Sequence, residues 1–568
     1  MMKFKTSFNL QFHLKFNLII AFILIFIVAC NNEKHADVSD VEIVETPEAI
    51  DDKARGIIRG TLSDINNNSQ DLPDSFRIKN AAIVQQVYDK FSFKPIWSSE
   101  AVFHPAADTF YHFLGNSREY GLFPDDYYFS RLSSIRSRLY NDTINGKNLD
   151  ASLWAYRDLL ITSAFVQAVR DIKVGRLLPD SIVARDTSLS AAFYIGELEA
   201  FRNAPSGNFL DKFEPVNTDY KKVKSALKLF LDSADLKTYT YVVASGKDSL
   251  QLRKLMYKRL TEEDSLDITI SETPDSLNLS SAIKQYQKYY KIKQDGKITT
   301  SLISRLNNTD QEKFIRVAIN MDRFKQLPVL PKQYLWVNMP GFYLQMRDSD
   351  TVVLRSKIVV GKPRTRTPVI TSAISNMITY PQWHIPESII KGEILPGLKR
   401  DPGYTKKKGY SILDKDGNEV DPYAVDWSKY KKGIPYRVIQ GSGDDNALGI
   451  LKFNFPNTHS VYLHDTNQRY LFSRTNRALS HGCVRVQSWN DLASYILKND
   501  SIHSSNAVPV DSLQTWLSQK KKQYIPVRKP IPLYIRYFTC DVKDDRLVFF
   551  DDIYGEDRKY RDMIFSGK

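Results

Sequence analysis

The sequence predicts a multidomain α+β protein: a mostly α N-terminal region, a small three-helix unit, and a β-rich domain with a long insertion. Three observations predict it. Apolar residues recur at helical spacing from about residue 75 to 240, the period switches to strands from Tyr334, and residues 386–430 interrupt those strands with a stretch rich in Lys, Gly, Asp and Tyr. The chain has 568 residues, which at roughly 100–200 per domain suggests three or four domains. Hydrophobic residues make up 42% and aromatic residues 12%, enough to bury a sizeable core.

Residues 1–30 are expected to be an export signal. Lys3, Lys5 and Lys15 precede twelve apolar residues, Leu18 to Ala29, a run too short to cross a bilayer comfortably. Its end, Ile27-Val28-Ala29-Cys30, resembles a bacterial lipobox. That resemblance implies cleavage before Cys30, lipidation of Cys30, and attachment to a membrane of the cell envelope. Residues 31–70 read as a disordered tether, because Glu33 to Asp52 hold eight acids and one Lys with few large apolar residues.

The helical region spans about 71–245. Ile83, Val84, Val87, Tyr88 and Phe91 share one helical face, and Trp154, Leu159, Leu160 and Phe165 share another. Asp125 and Asp126 follow Pro124, where capping or a turn is expected rather than chemistry. Residues 246–310 predict three further helices, with a tight turn at Asp295-Gly296. Strand signals then run through Leu335–Met339 and Val352–Gly361 and resume at Tyr436–Ile439, so 330–505 reads as the β-rich domain. Residues 506–568 are expected to be a β-rich extension packing on one of the other domains. Cys540, in a strand-like run, is expected to be a small core residue.

Chemistry concentrates between Asn446 and Gln487. Cys483 follows His481 by two positions and His464 by nineteen. A thiol needs a base or a positive neighbour to ionise near neutral pH, and a histidine supplies either. His464 ends a strand-like run and is placed to face the thiol. Gly482 lets the backbone approach a substrate closely, and the N–H groups of Gly482 and Cys483 could hold an oxyanion. A zinc site using Cys483, His481 and His464 would lack a fourth ligand, and the Cys–His spacing fits no common structural-zinc pattern. A buried structural thiol beside an incidental histidine is the plain alternative. The net charge of +14 suits an anionic partner or is a diffuse solubility feature. There is no compact Arg/Lys motif of a nucleic-acid reader. No metal, cofactor or nucleic acid is expected.

The pattern of His464 followed by Ser480-His481-Gly482-Cys483-Val484-Arg485 resembles the catalytic signature of L,D-transpeptidases. Much of the chain is similar to the long murein members of that family, through Gly121-Leu122-Phe123-Pro124-Asp125-Asp126-Tyr127, Asp401-Pro402-Gly403-Tyr404, Val425-Asp426-Trp427, Asn446-Ala447-Leu448-Gly449 and Asp551-Asp552-Ile553-Tyr554-Gly555. Residues 246–310 look like a small peptidoglycan-binding domain, and 71–245 like the scaffold.

The resemblance implies that Cys483 attacks the third stem-peptide carbonyl of a tetrapeptide donor, releases D-alanine, and passes the acyl group to a neighbouring stem amine. Hydrolysis or D-amino-acid exchange on the same thioester, and a silent wall-binding lipoprotein, are the competing outcomes. It implies His464 as the base and His481 as an orienting or tuning residue. Arg485, Tyr462, Trp383 and, more weakly, Asn454 would bind substrate. Residues 386–430 would cap the donor groove. The implied partners are peptidoglycan stem peptides and glycan.

Overall fold

The computed structural model describes residues 42–67, 78–145, 149–178, 189–243, 249–266, 268 and 276–565. The expected signal segment, Cys30, and the remainder of the tether lie outside the described residues. The chain divides into two compact units. One comprises Met1–Asn116, Phe123–Arg170 and Ser188–Lys212; the other comprises Ser117–Leu122, Asp171–Thr187 and Phe213–Lys568.

In the first unit, part of the expected tether is folded, which corrects the assignment of 31–70 as disordered. Ile43–Val44 pairs with Leu149–Asp150, and Pro47–Asn67 forms helix α1. Ile50, Ala54, Ile58 and Leu62 recur every four residues and are all buried, while Glu48, Asp52 and Asp64 stay exposed. The polar residues of this stretch thus conceal an amphipathic stripe. Helices α2 (Ala81–Lys90) and α3 (Ala151–Lys173) meet around a buried polar knot. Asp158 accepts the N–H groups of Ile96 and Trp97 at 2.8 Å and the Tyr88 hydroxyl at 2.5 Å. Asp125 accepts both the N–H and the hydroxyl of Ser130, at 3.1 and 2.5 Å, a local turn role.

In the second unit, helices α4 (Ser249–Thr261), α5 (Ser276–Tyr289) and α6 (Thr300–Leu306) pack around Met256, Leu260, Ile283, Tyr286, Leu302 and Leu306. Gly296 has φ +63°, and a Cβ there would meet Ser280 Oγ at 2.4 Å. The turn between α5 and α6 therefore requires glycine.

The main sheet has nine strands: β1 (Gln333–Asn338), β2 (Tyr343–Asp348), β3 (Thr351–Gly361), β4 (Ile370–Thr379), β5 (Leu451–Asn454), β6 (Leu463–His464), β7 (Ala478–Ser480), β8 (Val484–Val486) and β9 (Gln523–Arg536). Their order is β7-β3-β8-β6-β5-β4-β9-β1-β2, and β3 also pairs with β2, so the sheet closes on itself. Strand β9 lies between β4 and β1. Residues 523–536 are therefore an internal strand of the β-rich domain, which corrects both its end at 505 and the reading of 506–568 as an added extension. The cause is their alternation: Ile525, Val527, Ile531, Leu533 and Ile535 all enter the domain core.

The insertion builds its own sheet from Trp383–His384, Tyr410–Leu413 and Arg437–Gln440. Ile389, Ile394, Leu398, Ile412, Trp427 and Val438 form a separate core beneath it. The strand signal at 436–439 thus belongs to the insertion, which extends beyond 386–430 at both ends.

Candidate active site

Three neighbouring strands set the site. The two-residue strand β6 pairs antiparallel with β5, placing Lys452 opposite His464, and parallel with β8, placing Arg485 beside His464. Between β7 and β8 runs the turn His481-Gly482-Cys483. It is held from within: Ser480 Oγ accepts the Gly482 N–H at 3.2 Å and donates to the Cys483 carbonyl at 2.7 Å. Thr367 Oγ1 donates to the Gly482 carbonyl at 2.7 Å. Gly482 has φ +124°, and a Cβ there would find its nearest neighbour only at 3.6 Å. Glycine is required by the backbone conformation, not by lack of space.

A cavity of about 290 Å³ opens over this turn. Trp383, Tyr462, His464, His481, Cys483 and Arg485 line it, together with Pro386 to Ile389 from the insertion. With Gly482, which also lines it, the structure gathers seven of the sequence-derived candidates. Asn454 is not among the lining residues; its side chain donates to Asn376 Oδ1 at 2.6 Å across β5 and β4. Its expected role in substrate binding is corrected to a sheet contact, because it lies at the far end of β5, beyond the residues paired with β6. The expected oxyanion pair is likewise reduced, since the Gly482 N–H is committed to Ser480. The Cys483 N–H has no partner among the described residues.

Each chemical group has a distinct environment. Burial holds the Cys483 thiol above its ordinary value; hydrogen bonds from the Tyr462 backbone and hydroxyl and the charges of Lys452 and Arg485 offset only part of that rise. Trp383 Nε1 donates to the Tyr462 hydroxyl oxygen at 2.9 Å, leaving that hydroxyl's hydrogen for the sulfur. Burial, reinforced by Arg485, lowers His464 to about 3, so its ring stays neutral at physiological pH. Its Nδ1 is buried without a hydrogen-bond partner among the described residues. Arg485 donates to Gln468 Oε1 at 2.9 Å, and its Nε is likewise unpartnered. His481 Nε2 lies 2.5 Å from Glu393 Oε1, on the π-helical turn Ile390–Ile394 of the insertion. Asp465, next to His464, points away, to the Ile450 N–H and Arg469, each at 3.1 Å.

Lys452, Ser480, Thr367 and Glu393 did not emerge as individual candidates from the sequence. Only Ser480 had a local signal, being next to His481. The others reach the site through strand register or from the insertion. Cys540 is buried, 2% exposed, as expected of a core residue.

Residues 332–509 match the L,D-transpeptidase catalytic domain family, and residues 82–227 match the Scaffold domain family. A Haemophilus influenzae protein provisionally named an L,D-transpeptidase is 39% identical over 244 residues, covering 43% of this chain and 48% of that protein. The chain thus spans about half the length of that curated relative. The chain joins a region matching the L,D-transpeptidase catalytic domain to one matching a scaffold domain.

Proposed function

We propose that the protein cross-links peptidoglycan as an L,D-transpeptidase with Cys483 as nucleophile. The observation that supports this best is a partly exposed thiol at the floor of a cavity that also holds a neutral, buried histidine with an open ring nitrogen. His464 takes the thiol proton, and sulfur attacks the third stem-peptide carbonyl of a tetrapeptide donor. The Cys483 N–H faces the developing oxyanion. Collapse expels D-alanine, whose leaving nitrogen takes the proton back from His464, and leaves a thioester. The side-chain amine of a neighbouring stem then attacks the thioester, gives up its proton to His464, and frees the thiolate as the new amide forms.

Arg485 and Tyr462 supply one charged and one aromatic wall for the donor, with Trp383 holding the Tyr462 hydroxyl. The unit around α4 to α6 binds peptidoglycan strands in this reading. Lipidated Cys30 ties the protein to an envelope membrane facing the periplasm. Among the described residues no helix is long and apolar enough to cross a membrane.

The test is a reaction of protein lacking residues 1–30 with disaccharide-tetrapeptide, read by mass spectrometry. Release of D-alanine with a new dimer is the expected result. Release without dimer means hydrolysis of the same thioester, and no release overturns the proposed activity.

A further inference from the structure

The thiol sits among cations that lack an anion. Lys452 is opposite His464 in the β5–β6 register, so both side chains leave the sheet on the same face. Its Nζ lies 4.0 Å from the centre of the Tyr462 ring, the residue whose hydroxyl is turned to Cys483. Lys452 is partly buried, and no carboxylate pairs with it among the described residues. The nearby acids are engaged elsewhere: Asp465 with Arg469, and Glu393 with His481. Arg485, the other cation at the thiol, is bonded to the neutral Gln468.

A partly buried ammonium without a counter-charge is costly, and the tyrosine face offsets only part of that cost. Among the groups around it, sulfur is the one that becomes negative when the reaction takes its proton. Tyr462 is held protonated by burial, and His464 is neutral or positive in any state. Burial lowers Lys452 from its ordinary value and the charge of Cys483 raises it, while the charge of Lys452 lowers Cys483.

We propose that Lys452 is a positioning residue for the reaction: its ammonium, held over the Tyr462 ring, is the counter-charge that stabilises the Cys483 thiolate when the proton leaves. The proton leaves Sγ, the negative charge stays on sulfur, and Nζ keeps its three hydrogens. The inference rests on the reading of Cys483 as nucleophile for its use in catalysis, with the proton passing to His464. The groups that act on the sulfur's titration are Tyr462, Lys452 and Arg485, and the thiol donates to the Ser460 carbonyl at 3.8 Å. Lys452 is the one cation of this set, among the described residues, that neither hydrogen-bonds nor ion-pairs elsewhere.

The experiment is the pH dependence of Cys483 alkylation by iodoacetamide in the full chain, read on the Cys483 peptide by mass spectrometry from neutral pH upward through the midpoint of each variant. Thermal melting confirms that each variant is folded. Lys452→Met is expected to raise the pH of half-maximal alkylation by about one unit, which slows labelling at pH 7 roughly ten-fold, and Lys452→Arg to restore most of it. If Lys452→Met does not fold, Lys452→Gln takes its place with the same expectation. An unchanged midpoint in a folded variant, or an Arg variant titrating like the Met variant, overturns the inference. Alkylation needs no turnover. A shifted midpoint in a protein that releases no D-alanine would therefore sink the proposed activity and leave this inference standing; an unshifted midpoint in an active enzyme would do the reverse.

Discussion

His481 Nε2 and Glu393 Oε1 are 2.5 Å apart, joining the turn that bears Cys483 to the π-helical turn of the insertion. The histidine thereby has its own carboxylate, which orients the ring, while His464 has none. The insertion contributes to the site twice, through this contact and through the cavity wall at Pro386 to Ile389.

Glu393→Ala is expected to lower kcat/KM for the tetrapeptide donor several-fold, with Glu393→Gln keeping more activity because its amide still hydrogen-bonds the ring. Stability should change little. Both partners are partly exposed, and such pairs contribute about 0.2–1 kcal/mol. Steady-state kinetics beside urea unfolding separates the two effects; a large stability loss with unchanged kinetics contradicts the positioning role.

The neutral state of His464 makes stability depend on pH. Its folded value, about 3, lies below the ordinary histidine value of 6.5. Above 6.5 both folded and unfolded chains leave it neutral, and it adds no slope. Below 6.5 the unfolded chain binds the proton and the folded chain does not, so stability is lost as pH falls towards 3. The slope from this one group is at most about 1.4 kcal/mol per pH unit. Urea unfolding of His464→Gln between pH 7 and 4 should show a shallower fall than the parent protein.

Gly482→Ala is expected to cost about 1–3 kcal/mol, because φ +124° is a glycine conformation. It should also abolish D-alanine release by turning the Cys483 N–H away from its place. Thermal melting and the tetrapeptide assay measure the two losses. Near-parental activity would mean the turn tolerates a side chain.

The two cysteines should respond differently. Cys483→Ala is expected to leave the melting temperature nearly unchanged and remove D-alanine release completely. Cys540→Ala should keep activity and lose about 1 kcal/mol, roughly one buried methylene equivalent.

Removing residues 510–568 takes away β9 from between β4 and β1. Such a chain should fail to form the closed sheet, seen as lost far-UV strand signal and rapid proteolysis of the 330–509 region. A folded, active truncation would contradict the place given to β9.

The sequence by itself determined the parts whose signal is local. The helix faces of α2 and α3, the glycine turns, and the spacing of His464, Ser480, His481 and Cys483 follow from residue type and period alone. The tertiary structure decided what depends on who is opposite whom. Part of the expected tether proved to be α1 because its four buried residues found a core, and β9 entered the sheet because its alternate side chains had one to fill. Lys452 lies twelve positions before His464 and faces it only through antiparallel pairing. Glu393 meets His481 across eighty-eight positions. Asn454, two residues beyond Lys452 on the same strand, misses the cavity because β6 is only two residues long and its pairing with β5 ends at Phe453. Strand register and the docking of the insertion are long-range choices made by packing, and no residue type announces them in advance.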